Sequence, residues 1–303
     1  MTIGHVYPNL FVVGAPKAGT TTLVYWMRHH PHIFVSTPKE PMYYCAFPGP
    51  FAGPDAEALN EQYVSDRASY LDLFAEAGAC RYRAEGSTDY LGTPGTASRI
   101  HADSPDAKII IVLRNPITRA FSEHSHLVRD GLESLSFRRS LDAEQARTDA
   151  GWNTLFRHVG RGLYHDSVRS YLDVFGADNV MIALYDELHA DPVSLRRRMF
   201  DFLALEDIEL GVPRLNQSGQ VRSQLLYDIA RGRILPAPAK AFMRKALGRK
   251  RISNMQATIS NRNLRRLELA QQDADYLSEI FRDDIVALSG LLGQDLQSKW
   301  LPT

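Results

Sequence analysis

The sequence predicts an α/β protein: an open, mainly parallel sheet of P-loop type flanked by helices, continuing into a mostly helical C-terminal part. Three observations carry this. Short apolar runs of strand type alternate with amphipathic helical stretches through the first two thirds of the chain. Two runs, Leu10–Val13 and Lys108–Leu113, are continuously apolar or nearly so, the pattern of strands covered on both faces. Each is followed by a polar turn and then by helix-start residues, which places both turns at the carboxyl edge of the sheet, where ligands bind in such folds. The 303 residues are read as one domain over 1–303, with a core at 8–205 and a basic helical extension at 206–303.

Taken in order, Leu10 to Val13 lead into Gly14-Ala15-Pro16-Lys17-Ala18-Gly19-Thr20-Thr21-Thr22. The two glycines release the backbone for a tight turn, and Leu23, Trp26 and Met27 mark a helix that Pro31 bounds. Strand, loop and helix start together suit an anion, because first-turn amides and the positive helix end meet at one point. In a nucleotide triphosphatase loop the lysine directly follows the second glycine; here Lys17 stands two positions before Gly19. An ordinary βα turn with a solvated lysine has the same composition, so the loop alone favours phosphate only modestly.

Ile33–Val35 reads as a second strand, and Pro38 and Pro41 hold the stretch up to Tyr44 extended. Residues 46–62 have surface-loop composition, Tyr63–Ala77 has helical spacing with a stop at Gly78, and Arg81–Glu85 is a further strand. A helix is expected at Thr96–Ala102. After Lys108–Leu113, Asn115 is a good N-cap and Pro116 a good first helical residue. Residues 130–160 are polar with helical patches, an insertion over the active face. Gly162–Phe175 and Pro192–Leu203 read as helices on either side of the strand Asn179–Tyr185. The region 212–262, with its basic runs between Arg231 and Arg251, is expected to be helical pieces joined by mobile loops, and Leu264–Leu292 a long helix ending near Gly293.

Lys+Arg and Asp+Glu both number 35, a zero formal charge that argues against a nucleic-acid partner or a polybasic membrane anchor. No basic leader precedes Leu10 and no apolar run is long enough for a transmembrane segment, so a soluble, cytoplasmic protein is expected. Cys45 and Cys80 lack a pairing motif and read as free thiols rather than metal ligands.

A second anion site follows from Arg114, at the end of its strand, and Ser122, on the helix behind it with Arg119 three residues earlier. A guanidinium fork and a hydroxyl converge on one anion; the plainer reading has Arg114 at a sheet edge and Ser122 facing the core. Two anion sites on neighbouring strand ends fit a nucleotide phosphorylated at both ends of its ribose. The chain resembles the sulfotransferases dependent on 3′-phosphoadenosine 5′-phosphosulfate (PAPS), with the carbohydrate (heparan-sulfate) branch the nearest in pattern. Residues 14–23 resemble that family's 5′-phosphosulfate loop, and Arg114 to Ser122 its 3′-phosphate motif. Weaker similarity lies in Lys39-Glu40-Pro41-Met42-Tyr43-Tyr44, Gly160 to Tyr164, Tyr185 to Leu188 and the tail from Leu291 to Trp300.

The resemblance implies that Lys17 meets the bridging oxygen and 5′-phosphate, that Ala18, Gly19, Thr20, Thr21 and Thr22 complete the cradle, and that Arg114 and Ser122 hold the 3′-phosphate. It implies PAPS as co-substrate, 3′-phosphoadenosine 5′-phosphate (PAP) as product, no metal, and Glu40 as general base. The plainer reading of Glu40 is a surface carboxylate paired with Lys39, and His124 and His126 are rival bases. The expected acceptor is a hydroxyl, less readily an amine, of a small molecule or glycan. Tyr43, Tyr44, Tyr90, Trp152, Phe156 and Tyr164 are candidates for its cleft, although residues so spaced are more often core. A P-loop small-molecule kinase and a non-catalytic nucleotide-binding module are the alternatives; the displaced lysine, with no Ser/Thr directly after it for Mg²⁺, argues against the kinase. Nothing in the sequence specifies an oligomeric state.

Overall fold

Strand β1 (Leu10–Gly14) is buried along its whole length at the centre of five parallel strands. The computed structural model of the chain describes residues 7–212, 220–221, 264–265 and 268–302. Beside β1 lie β3 (Tyr82–Glu85) on one side and β4 (Lys108–Leu113) on the other, with β2 (Ile33–Val35) and β5 (Val180–Leu184) outermost in the order β2-β3-β1-β4-β5. The register pairs Leu10 with Ala84 and with Lys108. From β1 the chain passes to β2 and β3, then crosses back to β4 and on to β5. The order therefore reverses between β1 and β4, and a crevice opens above their carboxyl ends.

Helix α1 (Thr20–Arg28) packs Leu23, Val24, Trp26 and Met27 into the core, and the Trp26 indole donates to the Gly211 carbonyl at 3.1 Å. Helix α5 (Pro116–Arg129) starts on Asn115, whose side-chain oxygen accepts from the amides of Ile117 and Thr118. The Asn115 amide group also donates to the Trp300 carbonyl at 2.9 Å, tying the short helix Leu296–Trp300 to this start. Helices Thr96–Asp103, His165–Phe175 and Pro192–Phe202 lie close to their expected spans.

Four expectations change. Residues 46–62 are not all loop: Ala56–Gln62 is a helix, α2, which brings Leu59 and Gln62 to the crevice. The extended stretch after Pro41 ends in a helical turn at Tyr43–Cys45. The single helix expected over Tyr63–Ala77 is two pieces, Arg67–Asp72, capped by Asp66, and a turn at Ala75–Ala77. Leu264–Arg265 is not helical but pairs antiparallel with Gln220–Val221, and the long helix spans Gln271–Leu292. The basic residues Arg231 to Arg251 lie outside the described residues.

The insertion folds as helices Phe137–Asp142 and Glu144–Asp149 and a turn at Thr154–Phe156. It docks on the loop before α2: the Ala52 amide donates to the Gly151 carbonyl at 2.8 Å, and the Asn153 side chain donates to the Pro54 carbonyl at 2.8 Å. This places Leu155 in one wall of the crevice.

Candidate active site

The loop after β1 is shaped by positions that differ from the general rule for glycines. Gly14 must lack a side chain because a Cβ there would come within 2.7 Å of Leu91 Cβ. Gly19 is left-handed at φ 85°, and a Cβ would meet Leu188 Cδ2 at 2.6 Å. Lys17 is itself left-handed, at φ 62°, a backbone state that costs a non-glycine residue roughly 1–2 kcal/mol. The turn throws the Lys17 side chain up from the loop apex. Gly19 caps α1 without any side-chain bond, so the first-turn amides of Thr20 and Thr21 face outward with the positive end of the helix.

A cavity of about 560 Å³ lies above the crevice. At one end it is walled by Lys17, Gly19 to Thr22, Arg114 and Ser122, and by Tyr185, Leu188 and His189 from the start of the helix after β5. At the other it is walled by Lys39, Glu40, Met42, α2 and the turn Thr88–Asp89 that follows β3. Of the residues expected to hold a nucleotide, Ala18 alone is absent from the lining. Its side chain is buried and its amide donates to the Ala15 carbonyl at 3.3 Å. Tyr44, Tyr90, Phe156 and Tyr164 are buried in the core, and neither Tyr43 nor Trp152 lines the cavity.

Arg114 Nη1 donates to the Lys17 carbonyl at 2.9 Å, its Nε donates to Thr118 Oγ1 at 3.1 Å, and its guanidinium lies 4.6 Å from the Tyr185 ring centre. The two cations are thus built into one frame across the β1–β4 crevice. Burial, with Arg129 and Arg114 nearby, pulls the Lys17 ammonium down to about 8 against the opposing pull of Glu123. Its Nζ sits 3.2 Å from His126 Nδ1, whose other nitrogen is 3.1 Å from Asp130. Burial foremost, with Lys17 adding to it, lowers the His126 imidazole, so the ring accepts from Lys17 and donates to Asp130. His124 is different: it is buried, its Nε2 donates to the Leu135 carbonyl at 3.0 Å, and it does not reach the cavity.

Glu40 has a side chain 27% exposed, towards the cavity. Its Oε1 lies 2.7 Å from Lys39 Nζ and its Oε2 accepts from Thr88 Oγ1 at 3.0 Å. Burial pushes its carboxyl up, but Lys39, Thr88 and Arg161 more than reverse this and leave it below the ordinary carboxylate range. Glu40 is therefore both ion-paired and turned to the cavity, which joins the two readings made from sequence.

In the cavity lining, Arg161 bridges Glu123 at 2.7 Å and Asp89 at 3.3 Å, and the buried Arg119 behind them binds the other Glu123 oxygen at 2.7 Å. Burial alone would raise Glu123; Arg161 and Arg119 hold it well below the ordinary range. Sequence reasoning missed Tyr185, Asp89 and Arg161 as cavity residues. The signal for Tyr185 was its place at the end of the strand run expected over Asn179–Tyr185, where the strand in fact stops at Leu184 and Tyr185 starts a helix; nothing local marked Asp89. Among the described residues no cluster of three or more His, Cys, Asp or Glu is arranged to hold a metal ion, and no helix is long and apolar enough to cross a membrane.

The sequence profile of the Sulfotransferase family matches residues 8–209. Human heparan sulfate glucosamine 3-O-sulfotransferase 6 is 28% identical over 207 residues, which cover 67% of this chain and 54% of that protein. The chain thus matches about half the length of these curated relatives. Among solved structures, a sulfotransferase from Alicyclobacillus acidocaldarius is 33% identical with a TM-score of 0.76, covering 97% of this chain and 99% of that one. The sulfotransferase domain of the curacin biosynthetic pathway, at 16% identity and a TM-score of 0.50, shares the fold. With the profile spanning the whole five-stranded core and both strand-end motifs, the chain belongs to the sulfotransferase family.

Proposed function

We propose that the protein moves the sulfuryl group of PAPS to a hydroxyl of a carbohydrate or natural-product acceptor. The observation that carries this is the hydrogen bond from Arg114 to the Lys17 carbonyl, which makes two anion-binding cations parts of one rigid crevice. Two cations at neighbouring strand ends suit a nucleotide with a phosphate at each end of its ribose better than a single triphosphate tail. The donor set fits PAPS: the α1 start and Lys17 for the 5′-phosphosulfate, Arg114 and Ser122 for the 3′-phosphate, and the Tyr185 face for the base.

In the reaction, the sulfur–oxygen bond to the 5′-phosphate breaks and a new bond to the acceptor oxygen forms. Glu40 takes the hydroxyl proton, and PAP leaves with the bridging oxygen. Lys17 neutralises charge gathering on that oxygen, helped by the positive end of α1. Releasing His126 for the donor's oxygen costs Lys17 one neutral hydrogen bond and gains an ionic one. Glu40, kept ionised by Lys39, is ready to accept a proton without first losing one.

The test separates binding from chemistry. Glu40→Gln is expected to lower turnover by roughly 10²–10⁴-fold while PAP affinity stays within about twofold. Lys17→Ala and Arg114→Ala are expected to weaken PAP binding measured by calorimetry. Wild-type turnover in Glu40→Gln would remove the base assignment. Unchanged PAP affinity in both cation variants would remove the two-phosphate reading.

A further inference from the structure

We infer that the acceptor is an uncharged hydroxyl compound with an apolar face, not a polyanionic glycan, because every described cation at the acceptor end of the cavity is already paired with a carboxylate. This rests on the sulfotransferase reading of the site. Lys39 Nζ is 2.7 Å from Glu40. Arg161 is held by Glu123 at 2.7 Å and by Asp89 at 3.3 Å. Arg119 holds the other Glu123 oxygen at 2.7 Å, so the three carboxylates Glu40, Asp89 and Glu123 are matched by three cations, all of them already committed.

An incoming sulfate or carboxylate would meet no net positive charge and would have to break one of these pairs to gain a charged donor. Loss of its hydration would then go uncompensated, and the abandoned carboxylate would be left partly buried without a partner. The remaining surface is neutral: Met42, Leu59 and Leu155 are apolar, and Leu155 is brought in by the docked insertion. A polyanion needs the opposite arrangement, with unpaired Arg or Lys lining its path. Human heparan sulfate glucosamine 3-O-sulfotransferase 6, by its name, acts on a sulfated glycan. The acceptor preference inferred here departs from the one that relative's name states.

The experiment uses the full chain with radiolabelled PAPS and matched acceptors that differ only in charge: octyl β-D-glucoside against octyl β-D-glucuronide, and a carboxyl-reduced heparosan oligosaccharide against its unreduced form. PAP binding is measured by calorimetry in parallel. The neutral member of at least one pair is expected to show a kcat/KM tenfold or more above its anionic partner. Equal or better transfer to the anionic members would overturn the acceptor inference and leave the sulfotransferase reading standing. Transfer to neither member of either pair, with PAP bound, also counts against it, since the neutral class then lacks a substrate. Absence of PAP binding would overturn the sulfotransferase reading itself, and this inference with it.

Discussion

Glu85, at the end of β3, is buried and accepts hydrogen bonds from Tyr70 at 2.7 Å, Tyr90 at 2.8 Å and Ser87 at 3.1 Å. Two of these donors reach on to the segment that carries Glu40: Ser87 Oγ accepts from the Met42 amide and Tyr90 Oη from the Tyr44 amide. Burial pushes the Glu85 carboxyl from 4.5 up to about 7, although the three hydroxyls pull the other way. Between those values the native state holds a proton that the unfolded chain has released. The contribution of Glu85 to stability is therefore complete below pH 4.5 and is lost as pH rises through about 7. Over that window the loss is about 3 kcal/mol. Glu85→Gln, which cannot ionise, is expected to gain stability relative to wild type between pH 5 and pH 8, read as urea midpoints at both values. Parallel changes in the two proteins would show that Glu85 does not titrate in this range. Ser87 and Tyr90 follow Glu85 closely in the sequence, but only the fold turns their hydroxyls, with that of Tyr70 from a separate element, onto one buried carboxyl.

At the scale of elements, α5 joins most of the site: Arg114 precedes it, Ser122, Glu123 and His126 lie on it, and its first turn anchors the C-terminal helix through Trp300. Its start was legible because Asn115 and Pro116 act locally, as cap and first helical residue. Elements whose ends depend on distant partners were not. Helix α2 has no side-chain cap and takes its place from the docked insertion, while Leu264–Arg265 is a strand only by pairing with Val221 and Gln220, 43 and 45 positions earlier in the chain. Asn115→Ala removes both the cap and the bond to Trp300. It is expected to cost about 1–2 kcal/mol in urea unfolding, of which the cap alone accounts for about 1. A loss below about 0.3 kcal/mol would mean that Pro116 and packing suffice to start the helix.

For the whole molecule, the topology is what turns separate motifs into one site. Strand runs and their order of alternation exposed the parallel sheet in the sequence, and with it the strand ends where Lys17 and Arg114 stand. The reversal between β1 and β4, which brings those ends side by side, became visible only in the sheet order. Distance along the chain likewise hid Asp89 and Arg161, which pair in the cavity wall. The same frame sets a pH profile that belongs to no single element. In the reaction proposed above Lys17 carries its proton to meet the phosphates, and burial has brought it down to about 8. Glu40, as the proposed base, acts in its ionised form, and Lys39 keeps it ionised to below its ordinary 4.5. With PAPS as the varied substrate, kcat/KM reports the free enzyme and is expected to fall above about pH 8, with the acid limb at or below 4.5. Once the donor is bound, its phosphates favour the ammonium, so the alkaline limb of kcat moves to higher pH than that of kcat/KM. Lys17→Arg, whose guanidinium does not titrate here, is expected to lose the alkaline limb of kcat/KM altogether. An alkaline limb that stays near pH 8 in that variant would assign it to a group other than Lys17.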